Sequence, residues 1–487
     1  MSKDVFVSPD EIRARFSQAL SAMYQAEVPL YGELLELVAT LNRQTLSDNP
    51  SLAQQLRDAG ELERLSDERH GAIRLGSAEE LATMARLFAV LGMQPVGYYD
   101  LASAGVPVHA TAFRPVYEDA LRHSPFRVFT SLLRLELIED PALREQAGQI
   151  LAQRQIFTPG TLVLIERFEE QGGLTQADAE AFIGEALETF RWHSEAGVSA
   201  AVYQQLQAQH RLIADVVAFK GPHINHLTPR ILDIDAAQAE MPRRGMDAKE
   251  WVEGPPPRRQ PILLRQTSFK ALDEAVHFTC ASPGQHSARF GEIEQRGMAL
   301  TAKGRALYDQ LLAATRERCE GVAKDQYAAC YAQTLAQCFT DFPDELDELR
   351  RQGLAFFRYR VTDAGRAARA AGTLLEDLES LLEAGHLACE PLVYEDFLPV
   401  SAAGIFQSNL GESNRERYRQ DSNRAEFERA LGRGVLDELT LYADSQRSSL
   451  QACETELGLS LNLLDSPEIA PLHGRYSEAV PLQPHCA

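Results

Sequence analysis

Short runs of β-branched and aromatic residues, set at irregular intervals between long helix-forming stretches, constrain this 487-residue chain more than any other feature. Gln94-Pro-Val-Gly-Tyr-Tyr, Val106–Phe113, Asp215–Phe219, Pro261–Phe269, Ala288–Arg296 and Leu392–Phe406 read as strands or extended segments, and Arg69–Gly76 as a short extended piece. Phe126–Ile138 reads as a strand that can pass into a helix. Residues 140–215 and 302–388 carry Ala, Gln, Glu and Leu at helical spacing and read as helical insertions. This spacing suits an α+β fold with a β core and large helical insertions, and not a regular doubly wound sheet. Residues 8–464 are expected to form a single large domain, followed by a Pro-rich tail over 465–487.

Helix starts are written locally. Ser8-Pro9-Asp10-Glu11 places a capping hydroxyl, a proline at the first helical position and an early acid before the periodic set Ile12, Phe16, Leu20 and Met23. Ser77-Ala-Glu-Glu80 repeats this grammar, with Gly92 closing the helix. Leu174-Thr-Gln-Ala-Asp opens another. Between Asp215 and Ala288, Met241-Pro-Arg-Arg-Gly and Glu253-Gly-Pro-Pro-Pro-Arg-Arg read as exposed loops with solvated arginines.

The balance of 48 Lys+Arg against 70 Asp+Glu gives a formal charge of -22, which repels phosphate backbones and anionic membrane surfaces. Nucleic acid is therefore not an expected partner. An anionic small molecule remains compatible, because one arginine sets the potential inside a pocket. Seven cysteines without a CxxC pair argue for reduced, mostly buried thiols. The start Met1-Ser-Lys-Asp-Val-Phe lacks the basic and apolar regions of a secretory leader, and no later stretch suits a bilayer span. Cytoplasm is the expected compartment.

No GxxxxGK[ST], strand-borne GxGxxG, GxSxG or HExxH occurs, which removes phosphate cradles, nucleophile elbows and zincins. Three polar groups in apolar settings remain. His70 and Arg74, four residues apart, share one face of a strand or of a helix. His223 and His226 lie in Phe219-Lys-Gly-Pro-His-Ile-Asn-His226, a spacing that fits a core or capping pair as well as a metal site. Glu292, Glu294 and Arg296 alternate onto one strand face, which suits a solvated ladder of ion pairs as well as a ligand. Two histidines and a carboxylate from separate segments are the ingredients of a facial triad with open positions for substrate and oxygen.

Arg69-His-Gly-Ala-Ile-Arg74, Ala218-Phe-Lys-Gly-Pro-His-Ile-Asn-His226-Leu-Thr-Pro-Arg230, Pro261–Lys270 and Arg289-Phe-Gly-Glu-Ile-Glu-Gln-Arg-Gly297 together closely resemble the hydroxyglutarate synthase family, also called 2-oxoadipate dioxygenase/decarboxylase. The resemblance implies a divergent vicinal-oxygen-chelate fold, a curled sheet around iron(II), and oxidative decarboxylation of 2-oxoadipate by O2 to 2-hydroxyglutarate and CO2 in lysine catabolism. It implies His70 and His226 as metal ligands, Arg74 as the group for a substrate carboxylate and Val400 as a further substrate contact. The metal histidines would also touch substrate. Glu-Ile-Glu-Gln-Arg is similar to the Glu-Val-Ile-Gln-Arg segment of hydroxyphenylpyruvate dioxygenases, whose first glutamate binds iron. That likeness implies Glu292 as the carboxylate ligand, with Glu294 as the alternative. Extradiol cleavage or a glyoxalase-like isomerisation on the same scaffold, and a non-catalytic 2-oxo-acid-binding protein, are the competing readings. The roles of His223 and Ser401 stay open.

Overall fold

The computed structural model describes residues 5–279, 282–398 and 421–459. Its centre is a five-stranded sheet of β1 (Arg69–Leu75), β2 (Gln94–Asp100), β3 (Val108–Arg114), β4 (Arg127–Leu133) and β5 (Leu227–Pro229) in the order β2-β3-β4-β1-β5. Strand β1 runs parallel to β4 and antiparallel to β5. Strands β6 (Leu264–Ser268) and β9 (Glu292–Arg296) pair antiparallel. An Arg230–Glu294 bridge continues the surface from the end of β5 onto β9, so the strands curl around the face that carries His70. Two further antiparallel pairs lie outside this core, β7 (Asp273–Phe278) with β8 (Ser282–Ser287), and β10 (Phe357–Val361) with β11 (Leu387–Pro391).

Helices cover both faces. α1 (Pro9–Glu27), α2 (Pro29–Asp48), α3 (Pro50–Asp58), α4 (Ala78–Val90) and α5 (Glu118–His123) come from the first quarter of the chain. α6 (Pro141–Gln153), α7 (Pro159–Gln171), α8 (Gln176–Phe190), α9 (Ala200–Gln209) and α10 (Arg211–Ala218) form the first insertion, and α11 (Ile234–Glu240) follows β5. The second insertion holds α12 (Ala302–Arg318), α13 (Lys324–Cys338), α14 (Leu346–Arg351), α15 (Asp363–Ala371) and α16 (Leu378–Glu383), and α17 (Asp421–Leu431) and α18 (Glu438–Leu457) come last. Ile73, Leu75 and Val128 point from the sheet into a core with Phe16, Phe88 and Phe182, while Ala72, Ala110 and Phe129 point into another with Leu151, Leu206, Val217 and Phe397. His70 and Arg74 share the parity of Ala72 and so face the second core.

Local signals explain the helix starts. Ser8 Oγ accepts from Glu11 N at 3.2 Å with Pro9 in the first turn, and Ile12, Phe16, Leu20 and Tyr24 are buried along one stripe. Ser77 Oγ accepts from Glu80 N at 3.2 Å. The Glu80 carboxylate does not return to its cap: it accepts from Gly76 N at 2.7 Å and pairs with Arg154. A Cβ on Gly71 would stand 2.6 Å from Ile224 Cδ1 and 2.9 Å from His226 O. Only glycine lets the loop bearing His226 lie this close to β1.

Several expectations need correction. Asp215–Phe219 is not a strand: it ends α10, whose cap is His210 Nδ1 accepting from Leu212 N at 3.1 Å. Leu212–Ala218 is buried on all sides, and such a run carries no period that separates helix from strand. Phe126–Ile138 forms β4 and then a 3₁₀ turn over Leu135–Leu137, not an α-helix. Only Glu292–Arg296 of the segment from Ala288 is strand. The second insertion is interrupted by β10, and its partner β11 ends at Pro391, before the segment expected to be extended. Arg258 is not a solvated loop arginine, since it donates to the carbonyls of Phe339, Phe342 and Pro343. Val400, Ser401 and the tail over 465–487 lie outside the described residues.

Cys319, Cys330, Cys338, Cys389 and Cys453 are free thiols. No helix among the described residues is long and apolar enough to cross a membrane.

Candidate metal centre

His70 enters the site from β1, opposite Thr228 of β5 and beside Arg127 of β4. His226 closes the loop held against β1 by Asn225 N donating to Ala72 O at 3.0 Å. Glu292 begins β9. Tyr24 of α1 places its hydroxyl 2.9 Å from Asn225 O and 2.7 Å from Phe290 O, and so ties the His226 loop to the approach to Glu292. His70, His226 and Glu292 converge, with one ligand atom from each lying within 4.8 Å of the others, and all three side chains are buried. The two imidazoles are edge to face at 5.4 Å between centroids. Phe397 stands edge-on to His70 at 4.9 Å, and Phe290 lies 4.8 Å from the His226 ring.

The donor atoms fit a divalent cation. Among the described residues, His226 Nδ1 and Nε2 and Glu292 Oε2 are buried without a hydrogen-bond partner, a state that costs about 1–3 kcal/mol per group unless something occupies it. The other oxygen of Glu292 is fully used, accepting from Gln266 Nε2 at 2.9 Å and Thr228 Oγ1 at 3.1 Å and standing 3.1 Å from His70 Nε2. Two imidazoles with one carboxylate are the donor set of non-haem ferrous sites.

Electrostatics separate the two glutamates. Burial would raise Glu294, but Arg296, His70 and Arg127 outweigh it and hold the carboxyl at about 2. Arg296 donates to both Glu294 oxygens, at 2.8 and 3.0 Å. Glu294 Oε2 also lies 3.0 Å from His70 Nδ1. Burial raises Glu292, only partly countered by His70. Burial, then the charges of His70 and Arg74, hold His226 well below the ordinary imidazole range, so its ring is neutral and able to ligate. For His70, burial opposes protonation, but Glu294 and Glu292 override it and raise the ring's pKa.

Behind Glu294 the charges continue inward. Glu68 takes Arg127 at 2.9 Å and Arg230 at 3.2 Å, and Glu395 pairs with Arg127 and, at 3.0 Å, with Arg64. Arg114 grips Asp396 through two bonds of 2.7 and 3.0 Å. A buried unpaired ion costs several kcal/mol, so these groups persist only as a compensated set.

The sequence profile of the 2-oxoadipate dioxygenase/decarboxylase family matches residues 16–409. The chain belongs to that family. It is 62% identical over 461 residues to the 2-oxoadipate dioxygenase/decarboxylase of Pseudomonas putida, covering 94% of this chain and 99% of the relative. Identity to the Escherichia coli member is 55% over 447 residues, covering 92% and 98% of the two chains. The crystal structure of the hydroxyglutarate synthase of Pseudomonas putida in complex with 2-oxoadipate matches with a TM-score of 0.88 and 62% identity, covering 94% of this chain and all of that one (100%).

Arg74 sits on the face of β1 that carries His70, and its Nη1 donates to Asp215 Oδ2 at 2.6 Å. Asp215, Gln266, Thr228, Phe290, Phe397 and the ion pairs behind Glu294 drew no attention as site residues in the sequence. Their one shared signal is a polar or aromatic side chain next to a motif residue, which is too common to single out. His223 stands 3.4 Å from Asp215 through Nε2.

Proposed function

We propose that this family member is an iron(II)-dependent dioxygenase that converts 2-oxoadipate and O2 to 2-hydroxyglutarate and CO2, with His70, His226 and Glu292 as the metal ligands. The observation that carries the reading is the meeting of those three side chains, with both nitrogens of His226 and Oε2 of Glu292 buried and unpartnered. Family membership supplies the substrate class. Lysine degradation as the pathway, the cytoplasm as the compartment and residues 8–464 as one catalytic unit belong to the same proposal and rest on the family resemblance.

When bound, ferrous iron in such a ligand set leaves positions where a 2-oxo acid chelates and where O2 is activated. The chain's own residues do the rest. His226 is held neutral and so presents a lone pair. Glu294 attracts the Nδ1–H of His70, which leaves Nε2 to face the metal, the usual carboxylate–histidine arrangement. Gln266 and Thr228 fix the rotamer of Glu292 through one oxygen and leave the other free. Arg74 offers a planar donor for a substrate carboxylate, a fork that lysine cannot reproduce. Val400 is proposed as a further substrate contact. Phe290 and Phe397 wall the imidazoles with apolar rings and keep water from the reacting atoms.

The test is oxygen consumption by the iron-loaded enzyme against a panel of 2-oxo acids, repeated with labelled dioxygen. One labelled atom is expected in the new carboxylate of 2-hydroxyglutarate, and label in the 2-hydroxyl is expected as a lower bound because of exchange with water. A product with no label at either position would replace the dioxygenase reading with a hydrolytic or isomerising one.

A further inference from the structure

We propose that Asp215 is a positioning residue for Arg74, and that it acts as the centre of a buried clamp built from α9, α10, β8 and the loop before β5. The inference rests on the reading of Arg74 as the group that receives a substrate carboxylate. The two oxygens of Asp215 divide their work. Oδ2 takes Arg74 Nη1 at 2.6 Å, while Oδ1 takes His286 Nε2 at 2.8 Å and stands 3.4 Å from His223 Nε2. Tyr203 of α9 places its hydroxyl 2.8 Å from His286 Nδ1. A tyrosine donating to Nδ1 leaves the proton of His286 on Nε2, where it points at Asp215.

The surroundings make this a device for orientation. Asp215 is 5% exposed and His286 also 5% exposed. Trp192 lies parallel to His286 at 6.0 Å and edge-on to His223 at 4.7 Å, and Phe219 is 4.6 Å from His286. An ion pair in such a setting adds little net stability over an apolar replacement, because desolvation offsets the attraction. Its effect is on position: a guanidinium tethered at one nitrogen by a carboxylate that cannot turn has the reach and direction of its fork restrained before substrate arrives. His223 has a backbone φ of +23°, a strained value for a residue with a side chain. The same carboxylate therefore borders both Arg74 and the loop that three residues later carries His226. Burial would raise Asp215, but His223 and Arg74 overcome it and keep the group ionised.

Asp215→Asn keeps the shape and removes the charge. Steady-state kinetics on the iron-loaded variant should show a KM for 2-oxoadipate raised by about tenfold or more, with a smaller change in kcat. Iron content should stay close to the parent's, while the thermal midpoint falls because Arg74 and His286 lose a buried ionised partner. His286→Gln should raise KM by about threefold, and it gives the reading if Asp215→Asn does not fold. Asp215→Glu should recover part of the lost affinity. Unchanged KM in Asp215→Asn or, where that variant does not fold, in His286→Gln, alongside a raised KM in Arg74→Ala, overturns the positioning role alone. Loss of iron and of kcat together in the folded variant also overturns it, in favour of a structural role. Parent-like kinetics in Arg74→Ala would instead remove the reading of Arg74 on which the proposal stands.

Discussion

Glu294 grips the far side of His70, its Oε2 lying 3.0 Å from Nδ1 while the ring's other nitrogen faces Glu292. One strand therefore supplies two carboxylates to one imidazole, and of these two Glu292 keeps a buried oxygen without a hydrogen-bond partner.

The two glutamates should separate on substitution. Glu292→Gln is expected to abolish metal binding while leaving the metal-free chain at least as stable as the parent, because it removes a buried carboxyl whose ionisation burial opposes. Glu294→Gln should weaken metal binding by about 10–100-fold. It should also destabilise the chain by about 3 kcal/mol, since Arg296 is left buried without its two-pronged partner. Metal titration and urea denaturation of each variant check both halves, and the reverse order would move the ligand two positions along β9.

Alanine at His70 or His226 should abolish iron binding and turnover with little change in circular dichroism. The core clusters rest on aliphatic and aromatic side chains, and neither histidine is among them. A variant that kept its iron and its full activity would not have lost a ligand.

Arg74→Lys should retain iron and lower kcat/KM for 2-oxoadipate by about 10–100-fold, the kinetic equivalent of about 1.5–3 kcal/mol for a charge-assisted pair. Unchanged efficiency in steady-state assays would mean that the substrate carboxylate lies elsewhere.

His109 tests the pH dependence of stability away from the metal centre. Burial and then Arg134 lower its pKa from 6.5 to about 4. The unfolded chain takes up the proton first as pH falls, so stability is lost on going down from about 6.5 and the loss levels off below about 4. The full loss is about 3 kcal/mol. His109→Gln should flatten this dependence relative to the parent when urea midpoints are compared at pH 7 and pH 4.5.

Much of the fold and the cluster of motif residues was legible in the sequence because both are local. Caps at Ser8, Ser77 and Thr175 use side chains within three residues of the helix they start. Strand alternation puts Glu292 and Glu294 on one face, and the α+β core with its two helical insertions follows from the spacing of apolar runs. What stayed hidden depends on distance. Leu212–Ala218 is buried on every side, so its helix, and with it Asp215 as a partner of Arg74, could not be read from periodicity. β7 and β8, Asp-Glu-Ala-Val-His-Phe and Ser-Pro-Gly-Gln-His-Ser, lack a strand's usual composition. That Glu292 and not Glu294 is left with an open oxygen depends on Arg296, Gln266 and Thr228 meeting in space.

The buried charges behind the metal centre have a consequence for how the chain matures on the ribosome. Arg64, Arg114 and Arg127 all lie on or before β4, but their acids Glu395 and Asp396 are translated about three hundred residues later. Until those acids emerge, three guanidiniums would have to be sealed inside the sheet with Glu68, shared between Arg64 and Arg127, to offset their charge. The nascent sheet is therefore expected to stay open to water, and protease-sensitive, in chains that stop before Glu395. Closure would then be a late, single event in synthesis, set by the arrival of two acidic residues.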